Sequence, residues 1–204
     1  MLKTLISQDY PRACLTYTEL ALLLGGTQHS IYSKVKRLLA DGKLISLRRG
    51  LYCLTPAFGY FDQPHPFELA QYIYAPSYIS LESALAFYKL IPEAVYVTTS
   101  VCIKRAKEFQ TPLGTFSYLT LPRENFYTEV ILHKENNYQF FIAKPWKAIT
   151  DYIYCYKKDW VNTEPLLKSL RITIEDLPIL TDNEKQSLDD YYQSKRVTHF
   201  LEKI

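Results

Sequence analysis

The stretch that decides the fold runs from Thr16 to Leu54 and reads TYTELALLLGGTQHSIYSKVKRLLADGKLISLRRGLYCL. At its start, a threonine hydroxyl lies three positions before Glu19, the capping-box spacing that satisfies free backbone donors at a helix N-terminus. This spacing predicts a short apolar helix. Gly25 and Gly26 should end it, because glycine adopts the left-handed conformation that closes a helix.

A second helix is predicted from Gln28 to Asp41, with Thr27 as its N-cap. Apolar residues recur along it at helical spacing and should form one buried face: Ile31, Val35, Leu38 and Leu39. The opposite face is polar and basic and carries His29, Ser30, Ser33, Lys36 and Arg37. After Gly42, residues 44–48 and 51–54 have the composition of two short strands around a turn that contains glycine.

Two helices with a tight turn, followed by a hairpin tipped with arginines, are typical of a winged helix-turn-helix. A helix of this diameter enters the DNA major groove, where polar side chains meet base edges and cations meet phosphates. The candidates for base edges are Gln28, His29, Ser30 and Ser33, and those for phosphate or the groove beside the wing are Lys34, Lys36, Arg37, Arg48 and Arg49. The alternative is a small helical domain for protein contact, with a solvated charged face.

The distribution of charge favours DNA as a partner of the N-terminal part. Residues 1–55 contain eight Lys and Arg against three Asp and Glu, a net charge of +5, whereas the rest of the chain has a net charge of −2. Attraction to phosphate requires such a concentration of positive charge. In the second part, the basic cluster Lys104-Arg105-Ala106-Lys107 is a solvated loop in the simpler interpretation and a flanking DNA contact in the other.

Length and composition indicate two small globular domains, since the chain has 204 residues of which 48% are hydrophobic. Cys14, Cys53, Cys102 and Cys155 form no C-x-x-C pair, so we expect free thiols in a reducing cytosol. The apolar run at the start is too short for a secretory signal, and no stretch of about 18 apolar residues offers a membrane span. We therefore expect a cytoplasmic protein that needs neither a metal nor another cofactor.

The domain boundary is expected in the proline-rich segment 55–66. Residues 1–58 would be the winged helix-turn-helix, with Leu2, Leu5 and Ile6 in a first helix that Pro11 ends. Residues 66–204 would be an α+β domain whose segment 160–204 is a helical extension. Strands are expected at 78–80, 94–99, 115–121, 128–133 and 139–142, with Asn136-Asn137 as the last turn, and helices at 67–74, 80–88, 145–156, 164–171 and 182–201. The expected fold class is α+β: a winged helix-turn-helix, then a mixed helix and antiparallel-sheet domain with a helical C-terminal end.

Several short segments occur in an order found in a known family: RGLY at 49–52, PSYISLESAL at 76–85, YKLIPE at 88–93, VTTS at 97–100, TPLGTFSY at 111–118, AKPWKA at 143–148 and DYIY at 151–154. In this order they resemble the AbiEi family of bacterial antitoxins. Lys89 stands where that family commonly has glycine, and Trp146 stands where it usually has an acidic residue.

The resemblance implies a transcriptional autorepressor and antitoxin of a type IV toxin-antitoxin (abortive infection) system. Its N-terminal domain would bind double-stranded DNA of its own promoter. Its second domain would counter a nucleotidyltransferase-like toxin, without a stable complex being required.

Two alternatives remain open. The first is a stand-alone winged-helix regulator whose second domain binds a ligand or a protein. The second is a metal-dependent nuclease that uses acids near Lys144 and Lys147, namely Glu68, Glu82, Glu93, Glu129 and Asp151. No pair of these acids has a recognisable spacing, and the histidines are scattered, so we expect no enzymatic activity.

Overall fold

The computed structural model describes residues 14–58, 64–135 and 138–204. This part of the chain is α+β, as expected, with eight α-helices and two β-sheets. The predicted first helix, the Asn136-Asn137 turn and part of the proline-rich connector lie outside the described residues. No helix in the described ranges has the length and apolar character needed to cross a membrane.

The N-terminal module contains two helices and a three-stranded antiparallel sheet of order β1-β3-β2. Its elements are β1 Cys14–Thr16, α1 Tyr17–Leu24, α2 Gln28–Ala40, β2 Leu44–Arg48 and β3 Leu51–Leu54. The capping box is confirmed, since the Thr16 backbone N–H donates to Glu19 Oε2 at 2.7 Å and the Glu19 N–H donates to Thr16 Oγ1 at 3.3 Å. Gly25 closes α1 and Thr27 caps α2, so these predictions are confirmed too.

The second module contains a six-stranded sheet of order β6-β7-β5-β4-β9-β8. Its strands are β4 Ser77–Ile79, β5 Val97–Cys102, β6 Lys107–Thr111, β7 Gly114–Thr120, β8 Val130–Glu135 and β9 Tyr138–Ala143. Its helices are α3 Pro66–Ile73, α4 Leu81–Phe87, α5 Pro145–Cys155, α6 Thr163–Leu170, α7 Asp182–Tyr192 and α8 Lys195–Leu201, with short 3-10 helices at Pro56–Phe58 and Ile174–Asp176.

The sheet of this module is mixed and not wholly antiparallel as expected: β4 pairs with β5, β6 with β7 and β8 with β9 in the antiparallel direction. β5 pairs with β7 in parallel, and so does β4 with β9. The sequence interpretation missed β6, which forms a hairpin with β7 and so lets β7 return alongside β5 in the same direction. β6 escaped notice because it is a polar edge strand that begins at the basic cluster.

Two elements differ most from the prediction. The strand expected at 94–99 begins at Val97, where its pairing with Thr115 of β7 begins, and it continues to Cys102. The single helix expected at 182–201 is two helices, separated at Gln193, whose φ is 45°. The buried positions shift out of helical phase at this break, because the next buried residue after Tyr192 is Val197.

The three-stranded sheet is covered on both faces. On one face, Leu15, Leu44 and Leu54 pack with residues of α1 and α2. On the other, Cys14, Leu47, Leu51 and Cys53 belong to the core of the second module. This alternation follows the two-residue period of a strand, and it joins the two modules through continuous apolar packing.

Candidate nucleic-acid interface

Lys34 and the glycine turn fix α2 relative to α1. The Lys34 Nζ donates to the carbonyl oxygens of Leu24 at 3.0 Å and Gly25 at 2.9 Å. These groups lie at the C-terminal end of α1, where the negative end of the helix dipole stabilises a cation. Gly26 has a φ of 109°, which favours glycine, and a Cβ there would lie 3.4 Å from Ser30 Oγ. Lys34, a predicted phosphate contact, therefore has partners within the protein.

The exposed face of α2 contains most of the predicted DNA contacts. Ile31 and Val35 are buried, whereas Gln28, His29, Ser33, Lys36 and Arg37 are exposed and Ser30 is half-buried. The helix sequence QHSIYSKVKRLLA contains no acidic residue. This face thus presents hydrogen-bonding groups and cations without carboxylates of its own.

Tyr32 lies on the same face and was missed as a candidate. Its side chain is 62% exposed, an unusual position for a large aromatic residue. Helical spacing places it beside His29 and Lys36, three residues before it and four after it. That spacing was the available signal.

The two hairpin arginines have different environments. The Arg48 Nε donates to the Ile73 carbonyl oxygen, at the C-terminal end of α3, at 2.7 Å, and its Nη1 donates to the Arg49 carbonyl oxygen at 3.2 Å. Arg49 is exposed in the β2–β3 turn, where Gly50 has a φ of 78°. The structure therefore places Arg48 between the two modules and Arg49 at the tip of the hairpin.

The second module contains a buried ionic network centred on Asp151, one of the acids of the nuclease alternative. Lys147 and Asp151 are both 0% exposed, and the Lys147 Nζ donates to Asp151 Oδ1 at 2.9 Å. The Ser80 hydroxyl donates to Asp151 Oδ2 at 2.6 Å and the Tyr78 hydroxyl donates to it at 3.1 Å, while the Tyr192 hydroxyl donates to Oδ1. Asp151 is thus held inside the fold by four side chains.

Burial determines the protonation of this network. It lowers the pKa of Lys147 from its ordinary value, and the neighbouring Asp151 opposes that change. It raises the pKa of Tyr78 and of Tyr192 well above 10, and the nearby carboxylate of Asp151 raises both further. Both phenols therefore stay neutral and act as donors to the carboxylate.

Three other acids of the nuclease alternative have different partners. Glu82 accepts from the Tyr156 hydroxyl at 3.4 Å, Glu93 pairs with Arg171, and Glu129 lies 2.7 Å from the Lys144 Nζ. Among the residues that the structure describes, no three His, Cys, Asp or Glu side chains approach closely enough to hold a metal ion.

The four cysteines are free thiols. Although Cys14 and Cys53 are distant in sequence, they face each other across β1 and β3, with their Sγ atoms 2.7 Å apart. The hydrogen bond with Cys53, followed by burial, raises the pKa of Cys14. Cys14 and Cys53 therefore form a buried thiol pair between the two strands.

Comparison with known proteins assigns no family to the chain: no family model matches the sequence, and no curated protein matches it either.

Proposed function

We propose that the protein is a DNA-binding transcriptional autorepressor and that its N-terminal module is a winged helix-turn-helix, in which α2 is the recognition helix. The observation that carries this proposal is the division of α2 into a buried face, which includes Ile31 and Val35, and an exposed face with cations and no carboxylate. A helix of this kind is suited to insertion into the major groove.

The predicted contacts differ in exposure and in their partners within the protein, and we assign them different roles accordingly. Gln28, His29 and Ser33 are exposed near the start of α2 and read base edges, with Ser30 contributing from a half-buried position. Lys36, Arg37 and Arg49 are exposed and bind phosphates. Lys34 and Arg48 hold the helix turn and the hairpin in place through their bonds to backbone carbonyl groups.

The second module, in this proposal, is the antitoxin part, which counters a nucleotidyltransferase-like toxin. The support is the resemblance to AbiEi proteins and the position of the resembling segments. PSYISLESAL forms β4 and the start of α4, and the segments AKPWKA and DYIY form most of α5. These elements meet where Tyr78 and Ser80 bind Asp151, so the resembling segments build the centre of this module.

DNA binding is tested by a mobility-shift titration of the full chain on the DNA upstream of its own gene, at several salt concentrations and against a scrambled competitor. We expect a salt-sensitive shift that resists the competitor. In the Arg37→Ala and Arg49→Ala variants the salt dependence should fall by about 0.9 per lost phosphate contact. Equal binding by the wild type and both variants would show that this face is not the DNA-binding surface, and no shift at all would overturn the autorepressor.

The antitoxin role is tested by co-expression with the product of the neighbouring reading frame, where that frame encodes a nucleotidyltransferase. Growth should be restored by the wild-type chain and also by the Arg37→Ala/Arg49→Ala variant, because toxin neutralisation is assigned to the second module. Failure of the wild-type chain to restore growth would remove the antitoxin half of the proposal.

A second candidate is a stand-alone regulator whose second module binds a small molecule. The observation that favours it is an open groove of about 450 Å³ lined by residues of α4, β5, α6 and the segment before β5, among them Ile91, Val95, Tyr96 and Leu170. An apolar ligand of this groove should raise the thermal midpoint of the chain and change its affinity for DNA. Absence of a nucleotidyltransferase frame beside the gene would favour this candidate.

A further inference from the structure

Cys14 and Cys53 lie directly opposite each other in the antiparallel ladder between β1 and β3. One turn further along, the Tyr17 backbone N–H donates to the Gly50 carbonyl oxygen at 2.9 Å, in the same register. Hydrogen-bonded and non-hydrogen-bonded pairs alternate along such a ladder, so the two cysteines, three positions away, form a non-hydrogen-bonded pair. The Cα atoms of such a pair are about 4.5 Å apart, which lies within the range of about 4.4–6.8 Å that a disulfide spans.

The side chains of this pair point towards each other in an apolar environment. Their Sγ atoms are 2.7 Å apart, and the two residues are 4% and 1% exposed. They belong to the same apolar core as Leu47 and Leu51. An S–S bond of about 2.05 Å therefore needs only a small movement of the two side chains, and it would bury no new polar group.

The other two cysteines have a different arrangement. The Cys102 Sγ donates to the Lys104 carbonyl oxygen at 3.3 Å, and the Cys155 Sγ donates to the Thr120 carbonyl oxygen at 4.0 Å. Each of these thiols thus has a backbone partner of its own. The pair between β1 and β3 is distinguished by its geometry, which the spacing of the cysteines in the sequence does not show.

A bond between the two sulfurs would enclose most of the N-terminal module. Cys14 and Cys53 are 39 positions apart, and α1, α2 and β2 lie between them. A cross-link over a loop of this length stabilises a fold mainly by restricting the unfolded chain. The exposed face of α2 lies away from the pair, because the pair is in the core and His29 and Lys36 are in solvent. The cross-link would thus add stability and leave that face unchanged.

We propose that Cys14 and Cys53 are a redox-active pair that oxidised glutathione converts into an intramolecular disulfide, which fastens β1 to the hairpin. In the first step, the thiolate of one cysteine attacks a sulfur of oxidised glutathione, whose S–S bond breaks, and one glutathione thiolate leaves. The second cysteine, after losing its proton to solvent, attacks the protein sulfur of the mixed disulfide and displaces the second glutathione. Two protein thiols are oxidised, and one glutathione disulfide is reduced to two thiols that take up the two protons.

Opening of β1 gives the oxidant access to this pair. β1 has three residues and lies at the edge of its sheet, where β3 is its partner among the strands that the structure describes. A short strand with one neighbour opens at a lower free energy than the whole fold. The hydrogen bond with Cys53, followed by burial, raises the pKa of Cys14, so the attacking thiolate forms in the open, solvated state. When β1 closes again, the second step is intramolecular.

The test refolds the reduced full chain in a fully reduced and in a mostly oxidised glutathione buffer, so that burial does not limit access. Remaining thiols are alkylated, and a tryptic digest is measured by mass spectrometry. In the oxidised buffer we expect one disulfide between peptides 13–34 and 50–89, whose only cysteines are Cys14 and Cys53. The thermal midpoint of the undigested chain, measured by circular dichroism without DNA, should be at least about 5 °C higher than in the reduced buffer.

Two variants provide the controls. Cys53→Ala removes the pair and should show no joined peptides and the same thermal midpoint in both buffers. Cys102→Ala removes a buried cysteine of the second module but keeps the pair, so its difference between the buffers should equal that of the wild type. The wild type is also compared with itself, so the result does not depend on how well either variant folds.

Three results would contradict the inference. Alkylated or glutathione-bound Cys14 and Cys53 in the oxidised buffer would show that the pair does not form a disulfide. A disulfide that joins Cys102 or Cys155 to either of them would show that the wrong pair was chosen. Joined peptides with an unchanged thermal midpoint would show that the bond does not fasten β1 to the hairpin.

The inference does not depend on the proposed DNA-binding function, because both measurements use the free chain. It stands if the disulfide forms and no DNA is bound, and it fails if DNA is bound and no disulfide forms. Where DNA is bound, oxidation should leave the salt slope of binding unchanged, since none of the exposed cations of α2 lies at the pair. A changed slope would contradict the expectation that the cross-link leaves the exposed face of α2 in place.

Discussion

Lysine occurs in opposite environments on α2 and on α5. Lys36 is exposed on a helix that has no acidic residue, whereas Lys147 is 0% exposed and lies 2.9 Å from the Asp151 carboxylate. A solvated lysine costs the fold little and is available to a partner. A buried lysine needs its carboxylate and its phenol neighbours, because an unpaired charge in the interior is strongly unfavourable. The two helices thus differ in whether their charge is open to a partner or paired inside the fold.

The largest effect should come from Lys147→Met, which leaves the Asp151 carboxylate buried without its cation. We expect a loss of about 3–5 kcal/mol in the free energy of unfolding, measured by urea denaturation followed by circular dichroism. The control is Lys147→Met/Asp151→Asn, which leaves no buried charge, keeps an oxygen that accepts from the surrounding hydroxyls and should recover part of the loss. If the single variant lost less than about 1 kcal/mol, the contrast between α2 and α5 would not hold.

A smaller effect should appear at alkaline pH, again in the interior of the second module. Burial raises the pKa of Tyr78 and Tyr192 in the folded state, so their contribution is fully present below the unfolded pKa of about 10 and is lost as the pH rises above it. The lowered pKa of Lys147 has the opposite effect on stability, but it is one group against the two tyrosines. We therefore expect stability to fall above pH 10.

Absorbance at 295 nm during an alkaline titration measures this effect. The buried phenols should ionise only as the chain unfolds, in a cooperative step that coincides with the loss of circular dichroism. Gradual ionisation of all tyrosines in a folded chain would show that water reaches the network.

The smallest effects should distinguish two lysines on α2 itself. Lys34→Met removes the bonds to the Leu24 and Gly25 carbonyl oxygens, and we expect a loss of about 1 kcal/mol in stability. Lys36→Met should change stability by less than about 0.5 kcal/mol and should lower the salt slope of DNA binding by about 0.9. Denaturation and DNA titration on the same two variants check both results. If the two variants changed stability and salt slope equally, exposure would not distinguish a structural lysine from a DNA-binding one.

Most of the N-terminal module could be predicted because its signals are local, although strand β1 was missed. The Thr16 capping box, the glycines after α1 and the Thr27 cap each act within one turn of helix, and the elements begin and end within a residue of their expected positions. β6 and the start of β5 could not be predicted in this way, because both depend on pairing with β7, which is not visible in either segment. Lys89 has a φ of 59°, in the left-handed region that favours glycine, and the AbiEi family commonly has glycine at this position.

The candidate site shows the same limit. Helical spacing identified the exposed face of α2, but it could not show that Lys34 and Arg48 would find backbone carbonyl groups at the ends of other helices. Those acceptors have no sequence signature, because any residue provides one. In the same way, the spacing of Lys147 and Asp151 indicates a pair on one helix, yet its burial depends on Tyr192, which lies 45 residues after Lys147.

The double cover of the three-stranded sheet has a consequence for protein engineering. Leu47 and Leu51 pack in the core of the second module. Residues 14–58 transferred alone to another protein would therefore expose this apolar surface to water. Under the proposed DNA-binding function, a chimaera with altered operator specificity should instead exchange only the solvent-facing side chains of α2 and keep both modules. Under the same proposal, natural changes of operator would be confined to the outer surface of that helix.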